Sequence, residues 1–112
     1  MLRVDGSKPR PVNMEQNLPV GLMHDWQFVP NSIDLQPNET LLLYTDGVVE
    51  AENTQQELFG MDRLLQATAT SGGNTSRDMV NHIKHQLENF SKDAEQSDDM
   101  TIMSMCYKPI TA

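Results

Sequence analysis

Leu41-Leu42-Leu43-Tyr44-Thr45-Asp46-Gly47-Val48-Val49-Glu50-Ala51 constrains this chain more than any other stretch. Its strand-forming residues are apolar on both faces, which predicts a central strand over residues 40–46 covered by other layers on both sides. The run drives straight into an aspartate and a glycine. Asp46 therefore stands at a strand end, and Gly47 permits a sharp turn with backbone close to whatever the carboxylate holds. A second acidic pair, Asp98-Asp99, precedes another apolar run that reads as the last strand, residues 101–107. Carboxylates at two strand ends far apart in sequence supply the hard oxygen donors from different elements that Mg²⁺ or Mn²⁺ prefers. Two ordinary strand-end turns look the same, and an isolated Asp-Gly is most simply a turn. Adjacent carboxylates repel unless solvated or metal-bound. Successive side chains on an extended backbone point oppositely, so at most one of Asp98 and Asp99 is expected to ligate directly while the other hydrogen-bonds locally.

The remaining segments fall around these two strands. Short strands at 2–4 and 11–14 flank Asp5-Gly6-Ser7-Lys8-Pro9, with Asp-Gly favouring a hairpin turn and Pro9 resisting strand continuation. Residues 17–25 read as a loop. Residues 26–35 alternate partly and are interrupted by Pro30-Asn31, which predicts an edge strand with a bulge. After a turn at 36–39 and the central strand, the period changes. Met61, Leu64, Leu65 and Thr68 carry helical spacing over about 60–69, and Ser71-Gly72-Gly73-Asn74 ends that helix. Thr75 and Asp78 stand as N-cap and N3 of a helix over about 76–90 whose inward face is Val80, Ile83, Leu87 and Phe90. Residues 91–97 are a polar loop and 108–112 a tail. No internal repeat is present.

Composition narrows the function classes. The 112 residues, 38% hydrophobic and 21% charged, suit one modest globular domain. A net charge of −8 argues against nucleic acid or an anionic membrane as partner, since both demand Lys and Arg. Cys106 is the sole cysteine, so no disulfide forms within the chain, and a reducing, cytoplasmic setting is expected. No stretch approaches the ~20 apolar residues of a membrane span, and the first six residues lack a signal-peptide core. His82 and His85 lie three apart on a helix and flank its apolar face, where exposed or half-buried histidines are the simpler reading than metal ligands. His24-Asp25 is too little for a dyad, and Glu50 reads as a surface glutamate. Cys106 reads as a small buried residue rather than a nucleophile.

The string from Leu41 to Ala51, followed by Phe59-Gly60, a long helix and Ser97-Asp98-Asp99-Met100-Thr101, resembles the C-terminal half of bacterial metal-dependent Ser/Thr protein phosphatases of the SpoIIE-like (PPM-type) branch. Leu18-Pro19-Val20-Gly21-Leu22 is similar to that branch as well. The resemblance implies an α+β fold, a layered α-β-β-α sandwich of which this chain holds the C-terminal half. It implies hydrolysis of phosphoserine or phosphothreonine with two Mn²⁺ or Mg²⁺ ions in the complete domain and no phosphoenzyme. Asp46 and Asp98 match metal-ligand positions, with Gly47 and Asp99 supporting. The implied substrate is a phosphorylated anti-sigma-factor antagonist in sigma-factor regulation. The family domain is roughly twice this long, and its upstream Gly-Asp-x-x-Gly-type segment, whose aspartate bridges the two metals, has no match here. The expectation is therefore one partial domain that binds divalent ions weakly and is inactive alone. The competing expectation is an interaction module of partner-switching signalling, in which unpaired sheet edges favour a homodimer.

Overall fold

In the computed structural model, residues 1–14, 16–71, 75–96 and 98–110 are described. Four antiparallel strands form one sheet in the order β2-β1-β3-β4: β1 is Leu2–Asp5, β2 Lys8–Pro11, β3 Thr40–Tyr44 and β4 Ile102–Cys106. Three helices accompany it: α1 Asp46–Val49, α2 Gly60–Ala69 and α3 Ser76–Phe90. The helices expected near 60–69 and 76–90 are present with those bounds. The helix end expected at Ser71-Gly72-Gly73-Asn74 and the last two tail residues lie in part outside the described residues.

The hairpin differs from its expected form. Gly6 adopts φ +63° and the turn closes between Asp5 and Lys8, so the second strand begins at Lys8 and runs through Pro9. Val12 N–H donates to the Met1 carbonyl at 3.1 Å. By the alternation of antiparallel pairs, Pro9 and Pro11, opposite Val4 and Leu2, then occupy non-hydrogen-bonded positions. Their missing N–H groups would point off the sheet, which an edge strand tolerates.

Residues 26–35 form no strand. Asn17 holds this segment instead: its Oδ1 accepts from Val29 N–H at 2.8 Å and its Nδ2 donates to the Val29 carbonyl at 2.9 Å. A side-chain amide thus takes the place of a strand partner for one residue, and no ladder propagates from it. The Trp26 indole N–H also reaches Asn17 Oδ1, at 3.4 Å.

One face of the sheet carries the core. Leu2 and Leu42 lie opposite each other, with Ser104 beyond, and this row packs under the helices together with Val4, Leu64, Ala67, Met79, Ile83 and Leu87. On α3 the buried positions are Met79, Ile83 and Leu87, while Val80 and Phe90 are half-buried. Thr75 Oγ1 accepts from Asp78 N–H at 3.1 Å and caps the helix as its sequence predicts. Phe59 meets Phe90 edge-to-face at 5.4 Å, and the Arg63 guanidinium lies 4.6 Å over the Phe90 ring.

The expectation that β3 is covered on both faces is corrected. On the side away from the helices Leu41 is buried and Leu43 half-buried, but their partners Met105 and Met103 are 50% and 54% exposed. This face is open along β4.

A buried ion pair ties the hairpin to the approach of β3. Glu39, only 2% exposed, accepts from Arg3 Nε at 3.0 Å and Nη2 at 2.6 Å, and from the Gln36 N–H at 3.1 Å. Arg3 also donates to the Asp34 carbonyl at 2.9 Å. The Arg3 hydrogen bonds, and then the Gln36 amide, hold the Glu39 carboxyl below its ordinary 4.5 in spite of burial.

Leu42→Ala is expected to lower stability by about 2–5 kcal/mol, read from urea unfolding, whereas Val20→Ala at an 89% exposed position should stay within about 0.5 kcal/mol. Because the folded-state pKa of Glu39 is depressed, its contribution is present above the unfolded value and disappears as pH falls through the folded one. The urea midpoint should therefore drop on acidification below about pH 4.5, and Glu39→Gln should flatten that part of the profile. An unflattened profile in the variant would contradict the assignment.

Candidate metal centre

Antiparallel pairing of β3 with β4 puts the end of one strand beside the start of the other. The last ladder pair is Tyr44 with Ile102, so Asp46 and the Asp98-Asp99 pair emerge at the same end of the sheet. One further bond extends the ladder, from Thr45 N–H to the Thr101 carbonyl at 3.1 Å. Thr45 Oγ1 accepts from Thr101 N–H at 3.0 Å and lies 3.4 Å from the Asp99 carbonyl oxygen, to which it donates. Beyond Thr45 the chain turns at once into the single-turn α1, shortening the strand expected to reach residue 46.

Gly47 explains how closely the two loops approach. It is buried, and a Cβ built on it would lie 2.9 Å from the Asp99 carbonyl carbon and overlap the carbonyl oxygen. No side chain fits there without movement of Asp99 backbone. The glycine thus serves close approach between segments, and its own φ is not the reason for it.

The carboxylates themselves are exposed. Asp46 opens α1 at the surface, and its charge, after the larger effect of burial, helps push the Tyr44 phenol above its ordinary pKa. Asp98 Oδ1 accepts from Asp99 N–H at 2.8 Å, and the Asp98 carbonyl accepts from Gln96 Nε2 at 2.8 Å. The local hydrogen bond expected of Asp99 is thus made by Asp98, through one carboxylate oxygen. Asp99 presents its carbonyl to Gly47 and Thr45. A cleft of about 130 Å³ beside the turn is lined by Gly47, Glu52, Glu95, Asp98 and Met100, among others, but not by Asp46. Clefts of about 420 and 450 Å³ elsewhere contain neither aspartate.

The donor set fits a hard divalent cation in kind: exposed carboxylates at one sheet end, with a glycine that lets backbone come close. It is short in number. Among the described residues no group of three or more His, Cys, Asp or Glu stands close enough to hold an ion. Two of the histidines are committed elsewhere: His82 Nε2 lies 3.2 Å from Thr70 Oγ1 at the end of α2, a contact between the two helices, and His85 Nε2 lies 3.2 Å from Asn89 Nδ2 within α3. Cys106 is half-buried and Glu50 exposed. Sequence reasoning missed Thr45. The available signal was a threonine at the junction between a strand and an Asp-Gly turn, where a hydroxyl can stand in for backbone.

A family model described as Stage II sporulation protein E (SpoIIE) matches residues 1–108. The chain belongs to the SpoIIE family. It is 33% identical over 86 residues to Protein IcfG of Synechocystis sp., a match that covers 77% of this chain and 13% of that protein. Its fold matches the phosphatase domain of the cell fate determinant SpoIIE from Bacillus subtilis with a TM-score of 0.72 at 13% identity, over 99% of this chain and 49% of that one. The chain thus spans about half of the solved domain and a smaller part of the curated relative. The expected α+β fold and the SpoIIE-like, PPM-type phosphatase relationship stand. No described helix is long and apolar enough to cross a membrane.

Gly47→Ala should cost about 1–3 kcal/mol through overpacking. Its chemical-shift changes should centre on 45–48 and 98–101; a variant with wild-type stability and unshifted 98–101 amides would contradict the close approach.

Proposed function

We propose that this chain carries half of the metal site of a phosphoserine/phosphothreonine protein phosphatase of the sigma-factor-regulator type. The observation that carries the reading is the meeting of the Asp46-Gly47 turn and the Asp98-Asp99 loop, 52 positions apart in sequence, at one sheet end in a SpoIIE-family chain. Asp46 and Asp98 would hold Mn²⁺ or Mg²⁺, with Gly47 and Asp99 in support. A divalent ion so held supplies Lewis-acid polarisation of a phosphoryl group and lowers the pKa of water. Asp46, at the head of α1, and Asp98 are both exposed and so open to a ligand from solvent. Their negative charge repels a phosphate until a cation neutralises them, so binding of substrate follows binding of metal. Two carboxylates give a weak site, and the chain alone is expected to be inactive. The substrate class that fits the reading is a phosphorylated anti-sigma-factor antagonist in the cytoplasm.

A second reading is an interaction module without catalysis. The exposed Met103 and Met105 favour it, since an apolar sheet face suits pairing with a second copy. Metal dependence separates the two.

Mn²⁺ titration followed by NMR should broaden amides at 46–48 and 98–101 first, and Asp46→Asn should weaken binding by about tenfold or more. Any hydrolysis of p-nitrophenyl phosphate should vanish in EDTA. Activity that survives both EDTA and Asp46→Asn would sink the phosphatase-site reading, and the module reading expects no Asp46-dependent Mn²⁺ effect.

A further inference from the structure

We propose that Thr45 is the positioning residue of this site, its hydroxyl replacing a lost backbone acceptor and so holding the Asp46 turn against the Asp98 loop. The role rests on the metal reading above. Hydrogen-bonded positions in the β3–β4 ladder recur at every second residue: Tyr107 N–H donates to Glu39 O at 3.0 Å, and the next such positions along β3 are 41, 43 and 45. At such a pair both residues ordinarily exchange N–H···O bonds. Thr45 and Thr101 keep one of them, from Thr45 N–H to Thr101 O at 3.1 Å. The reciprocal acceptor, the Thr45 carbonyl, is taken by Val48 N–H at 3.0 Å because the chain turns into α1. Thr101 N–H would be left without its ladder partner, and Thr45 Oγ1 accepts from it at 3.0 Å instead.

The same hydroxyl donates to the Asp99 carbonyl at 3.4 Å, so it binds the peptide groups on both sides of Met100, just beyond the aspartate pair. Thr45 is the N-cap residue of α1, with φ −93° and ψ 163°, yet its side chain makes no cap bond. A hydroxyl in the favoured capping position is committed across the sheet. Asp46 and Asp98 make no bond to each other that could set their separation; the backbone on either side of them does so, and Thr45 is the side chain that joins those backbones. Serine retains this chemistry, while valine has the same branched shape without an acceptor.

Thr45→Val and Thr45→Ser, compared with the unaltered protein, test the role by two NMR readouts: exchange of the Thr101 amide without metal, and Mn²⁺ broadening at 46–48 and 98–101. Thr45→Val should speed Thr101 exchange and weaken Mn²⁺ binding, each by about tenfold, and Thr45→Ser should restore both. Unaltered protein that binds Mn²⁺ with Thr45→Val binding it equally overturns the positioning role alone. Unaltered protein with no Asp46-dependent Mn²⁺ effect overturns the metal reading and the role with it. Should Thr45→Val fail to fold, the serine variant still decides: loss of Mn²⁺ affinity in Thr45→Ser, with its hydroxyl in place, overturns the assignment, and retention supports it.

Discussion

The antiparallel register of β3 and β4 is the constraint on which the rest of this structure depends. Pairing Leu42 with Ser104 and Tyr44 with Ile102 decides which face of both strands meets the helices. A slip of one residue would carry Leu42 out of the core and Leu43 into it. The same register decides that Asp46 and Asp98 leave the sheet at one end. Core and candidate site are therefore two consequences of one pairing. Gly47 and Thr45 lie at its last step, where hydrogen bonding passes from backbone to side chain. Any loosening of the core at Leu42 should be felt at the aspartates, because the two strands that carry Leu42 and its partner Ser104 also lead to them.

Much of this was legible in the sequence because it is periodic. α2 and α3 follow from apolar residues at helical spacing, and β3 and β4 from apolar runs bounded by polar ones. Within α3 the face was legible to about one residue: Ile83 and Leu87 are inward as expected, while Met79 rather than Val80 fills the first turn of the buried stripe. What was illegible is aperiodic. Asn17 organises Val29 through a side-chain amide twelve positions away, so alternation at 26–35 reads as a strand although no ladder exists. Pro9 looks like a strand stop in the sequence because its tolerance depends on edge position and parity, and both are properties of the assembled sheet. At the candidate site the aspartates and Gly47 stood out by residue type. The role of the Asp99 carbonyl did not, since any residue has a carbonyl.

Two kinds of polar contact keep the irregular parts in place. At Glu39 a charged pair is used, with Arg3 bidentate and the Gln36 amide satisfying the same carboxylate. At Thr45 neutral hydrogen bonds suffice. The difference follows from location. Glu39 is nearly sealed from solvent, and an unpartnered carboxylate there would be costly. Thr45 is exposed, and its task is to set distance. Among the described residues no buried side-chain polar atom lacks a partner, so neither device leaves a deficit for another group to satisfy.

The open sheet face and the short donor set share an address. Met103 and Met105 lie on β4, whose leading loop carries Asp98; Leu41 and Leu43 lie on β3, which leads to Asp46. Whatever packs on that face comes to lie next to the aspartate end of the same two strands. On the metal reading proposed above, covering the methionines and completing the coordination would be coupled: a layer that buried Met103 and extended to the carboxylates would exclude water from them and strengthen their interaction with a cation. The metal reading and the interaction reading draw on one surface, with the catalytic case distinguished by whether the covering layer brings oxygen donors of its own.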